Sequence, residues 1–111
     1  IGRHFRLHPG LKIILGRNEL ENEQIQNMAG IGSALLHPVD FRGPICLASG
    51  SLETQTEGMI GEIMAGYSQE NKARYQVKKQ ILGKDESLIL VEKKLTKEAA
   101  AKLQIGSIRE E

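Results

Sequence analysis

Residues 53–67 constrain the fold of this 111-residue chain more than any other stretch. Met59, Ile60, Ile63, Met64 and Tyr67 fall at i, i+1, i+4, i+5 and i+8, one apolar stripe at the helical period. Gly58, Gly61 and Ala65 form a second stripe with almost no bulk. A glycine inside a helix costs up to about 1 kcal/mol relative to alanine, so a helix that keeps two is expected to meet another backbone at close range. The first expectation for that partner is the domain's own sheet. The alternative is a docking surface for another protein.

The flanking sequence supplies strands for such a sheet. Arg3 to His8 alternates, with Phe5 and Leu7 on one side and His4, Arg6 and His8 on the other. Pro9-Gly10 reads as a turn, and Lys12 to Leu15 as the returning strand. Ser33–His37 and Ile45–Ala48 read as two more strands joined by an exposed Pro- and Gly-rich loop. Arg74 to Gln80 alternates again, with Tyr75 and Val77 opposite Arg74, Gln76 and Lys78. Gly83 to Glu86 is a turn, followed by a strand from Ser87 to Val91. Residues 19–29 read as a short helix capped by Asn18, with Glu21 at the third helical position in a capping-box arrangement. Lys97 to Leu103 has helical composition, and Gly106 and the tail beyond it are expected to fray.

This order predicts an α+β fold. The expectation is a mostly antiparallel sheet of about five to six strands, with two main helices packed on one side and a frayed C-terminal helix. The whole of residues 1–111 forms one domain, and a start at Ile1 without Met suggests a piece of a larger protein. Only 4% of residues are aromatic and none is Trp, so the core falls to Ile, Leu, Val, Met and Ala. Cys46 is the sole cysteine, which excludes an internal disulfide and fits a buried thiol in a reducing, cytoplasmic setting. No stretch approaches the roughly 20 apolar residues of a membrane span.

Catalytic chemistry is not spelled out. Ser33, Ser49, Ser51 and Cys46 sit in no nucleophile motif, and Glu19, Glu21 and Glu23 suit the positive end of a helix dipole. His4 and His8 can share a strand face, but no third ligand stands near them in sequence, so neither a metal nor a cofactor is expected. Charge is more telling. Residues 1–18 carry Arg3, Arg6, Lys12 and Arg17 with no acid; residues 19–70 are net −7; residues 71–109 carry ten basic residues against four acidic ones. A nearly neutral chain divided in this way either presents a basic face to a polyanion or pairs its termini with its acidic middle. Arg6 with His4 and His8, and Arg74 with Lys78, form two basic combs at strand spacing. Phe41, in the loop Asp40-Phe41-Arg42-Gly43, is the candidate to stack on a base, unless it folds back on the core.

Three segments resemble a known family. Gly16-Arg17-Asn18 with Asn22 is similar to the G-R-N-x-x-x-N that follows a strand in NFACT-R RNA-binding domains. Leu36 to Pro44 resembles that family's F-H-V-x-D-x-x-G segment, and Ala65-Gly66-Tyr67-Ser68 its A-x-x-Y-S. Leu35 replaces the family's usual Trp before the histidine, and the chain looks like the short form found beside PP-loop tRNA thiouridylases. The resemblance implies RNA binding, with tRNA as the leading ligand and a covalently linked catalytic domain elsewhere in the parent protein. It implies backbone contacts through Arg6, Arg17, Arg42, Arg74 and Lys78, with His37 and Phe41 near the bases. Asn18 and Glu21 are accounted for by capping; Arg17 and Asn22 are not, and are expected to touch RNA. A protein-docking module built on the glycine stripe and a stand-alone transferase are the competing readings.

Overall fold

The computed structural model describes residues 1–105, so the expected fraying beyond Gly106 lies outside the described residues. Seven strands form one sheet: β1 (Arg3–His8), β2 (Leu11–Leu15), β3 (Ala34–Pro38), β4 (Cys46–Gly50), β5 (Tyr75–Ile81), β6 (Ser87–Val91) and β7 (Gln104–Ile105). The helices are α1 (Glu19–Met28), α2 (Thr54–Gly66) and α3 (Lys97–Ala101). The strand order is β6-β5-β3-β4-β2-β1-β7, and every neighbouring pair is antiparallel. The fold is therefore α+β with a fully antiparallel sheet. It has one strand more than expected, because β7 has only two residues and offers no alternation to read.

One face of the sheet carries the main core. Phe5, Leu11, Ile13, Leu15, Leu36, Cys46, Tyr75 and Val77 are buried there against Ile60, Ile63 and Met64 of α2. The glycine stripe packs against the chain's own sheet, as first expected. A Cβ at Gly61 would lie 2.9 Å from Val91 Cγ1, and one at Gly66 would overlap the Leu95 carbonyl oxygen. Only Gly58 faces open space, so the stripe has little left to offer a second protein. Leu95 N–H donates to the Glu62 carbonyl at 2.9 Å, which ties the approach to α3 along α2.

α1 lies on the opposite face, not on the same side as α2. The outward residues Ile14, Leu47 and Leu35 are cross-strand neighbours on β2, β4 and β3. Leu47 and Ile25 of α1 are both buried, yet neither belongs to the α2 core. α1 meets β4 and β2, and its C-terminal end adjoins Leu35 and Gln80. Its position follows from its sequence. Ile25 is the one apolar side chain of α1 that is buried, while Leu20 and Met28 stay exposed and most of the remaining residues are polar.

Candidate functional site

The end of the sheet where β1 begins and β2 finishes is built around Gly16. Its N–H donates to the Ile45 carbonyl at 3.1 Å, and Ile45 N–H donates in return to Asn22 Oδ1 at 3.2 Å. A Cβ on Gly16 would overlap that same Asn22 oxygen. Asn22 is thus a structural bridge from α1 to β4, and its side-chain oxygen is occupied. Asn18 caps α1 by accepting from Glu21 N–H at 2.9 Å. The Glu21 carboxylate does not close a capping box on Asn18. It accepts from Arg17 N–H at 2.9 Å and from the Arg17 guanidinium at 3.0 Å through Nε and 2.7 Å through Nη2. These donors, the side chain first and the backbone second, hold Glu21 from an ordinary 4.5 down to about 2.

Arg17 and Asn22, which capping left unexplained, are thus both bound within the protein. Arg17 nevertheless keeps 53% of its side chain exposed. With Asn18, Glu19, Asn22, Arg42, Gly43, Pro44 and Tyr67 it lines a depression of about 420 Å³. Arg42 is brought there by a well-anchored loop. Asp40 Oδ1 accepts from Gln76 N–H at 2.9 Å, Val39 N–H donates to the Gln76 carbonyl at 2.9 Å, and Arg42 N–H donates to Glu70 Oε2 at 2.8 Å. Among the described residues the Arg42 guanidinium has no ion-pair partner.

Tyr67 closes the other wall, with Arg3 4.7 Å and the Lys97 ammonium 5.6 Å from its ring centroid. Four cations from four separate segments, Arg3, Arg17, Arg42 and Lys97, thus gather at one end of the sheet. Arg3, Tyr67 and Lys97 were not expected as site residues. The Ala65-Gly66-Tyr67-Ser68 match pointed toward Tyr67, whereas nothing in the spacing of Arg3 and Lys97 links them before β1 and α3 are in place.

The other expected residues fall elsewhere. Phe41, expected near the bases, is only 8% exposed and meets the Tyr75 ring edge-on at a centroid distance of 5.2 Å. Its ring packs inward on Tyr75, and Gly43 leaves space for it, since a Cβ there would lie 2.8 Å from Phe41 Cε2. Arg74 lines a separate groove of about 670 Å³ with Asp40, Lys72, Gln76, Leu88 and Leu90. His37 and Lys78 are cross-strand partners on the α1 side of the sheet. Burial and then the Lys78 charge push the His37 imidazole below its usual pKa, so it is neutral near pH 7 and adds no charge for a phosphate. Arg6 shares that face, four strands from β5 and thus about 19 Å away, with α1 between. The two basic combs therefore share a face without forming one surface. Lys78 also pairs with Glu86 at 3.7 Å, and the basic C-terminal half meets the acidic middle at Lys79–Glu57 and Lys72–Asp40. The pairing of the basic C-terminal half with the acidic middle, one of the two expected uses of the divided charge, thus occurs.

Among the described residues no helix is long and apolar enough to cross a membrane. What the fold and site define is a small α+β domain with a cation-lined depression at one sheet end. A solved structure of the C-terminal part of the fibronectin/fibrinogen-binding protein from Streptococcus suis has the same fold, with a TM-score of 0.71 at 18% identity, covering 94% of this chain and 49% of that one. This chain thus spans about half the length of that structure. No curated protein matches the chain. Residues 2–103 match the family described as the NFACT protein RNA binding domain, and the chain belongs to that family.

Proposed function

We propose that this domain holds RNA at the Arg3–Arg17–Arg42–Lys97 end of the sheet, with Tyr67 at its centre. The convergence of these cations on one depression carries the reading. An unpaired guanidinium at Arg42 and a half-exposed one at Arg17 offer planar donors that suit phosphate oxygens. Planar donors of this kind suit a binding role toward a polyanion. The RNA is tRNA, and the domain serves as an accessory to a tRNA-thiolating catalytic domain in the parent protein. The likeness to the short NFACT-R form supports that finer reading. An S-G-G-x-D-S motif elsewhere in the full-length parent would strengthen it, and a parent with no such ATP-binding domain would overturn it.

The test is a titration of tRNA followed by amide NMR shifts and by binding at several salt concentrations. Arg42→Glu and Lys97→Glu are each expected to weaken binding by about tenfold, in line with the loss of a charged phosphate contact. Lys84→Glu, at the far end of the sheet, is expected to leave it nearly unchanged. Equal losses at all three positions, or shifts centred away from residues 16–18, 42–44 and 67, would refute the site. Arg17→Glu is a poor reporter, because it would set a second carboxylate against Glu21.

A further inference from the structure

We infer that the RNA taken by this site is double-helical and is held by its sugar-phosphate backbone, with no base stacked on the protein. The inference rests on the RNA-binding reading above and names the form of RNA that the same site accepts. The chain has four aromatic residues, two Phe and two Tyr, with no Trp. Phe5 is fully buried in the sheet core, Tyr75 is 2% exposed and Phe41 is 8% exposed. The fourth, Tyr67, already has Arg3 and Lys97 against its ring. Three of the four thus offer no platform, and the ring of the fourth is already engaged by two cations.

Proteins that read single strands depend on such platforms, because stacking on an aromatic ring contributes about 1–3 kcal/mol per base. Duplex RNA hides its bases and is recognised through shape, phosphates and 2′-hydroxyls. The arrangement of charge agrees. Arg17 and Arg42 line one depression together with Glu19, and Arg3 and Lys97 sit against the Tyr67 ring at its wall, so the cations form a cluster at one sheet end and not a track along the sheet. A compact cluster suits a ligand whose phosphates converge from two strands. Nucleic-acid duplexes carry roughly twice the charge per unit length of a single strand. Tyr67 acts here as a positioning residue: its ring holds Arg3 and Lys97 toward the ligand and does not itself meet a base.

The experiment compares binding of an RNA duplex of one helical turn with each of its two strands alone, at fixed salt, by fluorescence anisotropy. The duplex is expected to bind about tenfold more tightly than either strand, as its denser phosphates predict. Equal or tighter binding of the single strands would overturn the inference and leave the RNA-binding reading intact. Binding of neither would overturn both. A second measurement separates the roles of Tyr67. If it positions cations, Tyr67→Leu weakens the duplex as Arg3→Gln does, and the double variant is little worse than either. If it stacks on a base, Tyr67→Leu weakens the single strands more than the duplex, contrary to the inference.

Discussion

At the scale of single residues, the site depends on what Gly16 leaves out. Its missing side chain lets Asn22 Oδ1 reach the Ile45 N–H, so a strand, a helix and the incoming β4 are joined by one carboxamide. Gly16→Ala must displace that oxygen and leave a part-buried N–H without its partner. Such a loss costs about 1–3 kcal/mol. A lowered midpoint of urea unfolding should show it, and an unchanged midpoint would mean that the bridge is dispensable. The spacing of Gly16, Arg17, Asn18 and Asn22 was legible in the sequence as a motif, but its purpose was not. Capping by Asn18 is a local rule, whereas the Ile45 N–H that Asn22 accepts lies 23 residues away. Phe41 shows the same difficulty. A loop aromatic between Asp40 and Arg42 has no periodicity, and only the packed core shows that its ring turns inward.

At the scale of elements, alternation and the helical stripe carried most of the fold. β1 spans Arg3–His8 and β6 spans Ser87–Val91 as read from the sequence, while β2, β3, β4 and β5 shift by a residue or two at their ends. The side on which α1 packs was not legible, because a helix with one buried isoleucine looks much the same against either face. The start of α1 also sets an acid response. Glu21 is held near 2 in the folded chain and lies near 4.5 when free, so the unfolded chain binds the proton first as pH falls. Its stabilising contribution is complete above the unfolded value and is lost as pH drops through about 4.5 toward 2. Denaturant midpoints should therefore fall between pH 5 and pH 3, and Glu21→Gln should flatten that fall. An equally steep fall in the variant would assign the response to other carboxylates.

At the scale of the molecule, the sheet brings distant charges together. Arg3 opens β1, Arg17 leaves β2, Arg42 precedes β4, and Lys97 opens α3. Four phosphate contacts would give a binding constant that falls with salt at a log–log slope of about −3.6 for a duplex, and less where Glu21 offsets Arg17. Measured slopes near −3 would fit, and a slope near zero would point to a surface other than this one. The long-range meeting of these four residues follows from strand order, which no window of sequence contains. The divided charge revealed only that a basic face was possible.

The bridge of Gly16, Asn22 and Ile45 has a consequence for the energetics of binding. The wall of the depression is already fixed by backbone and carboxamide hydrogen bonds in the free protein, so little conformational entropy remains to be lost when a ligand arrives. Association then proceeds as a docking of preformed surfaces, with an encounter rate governed by long-range attraction and not by a folding step. The apolar area covered is small, which implies a heat-capacity change close to zero and a calorimetric signature unlike that of a segment that orders on its target.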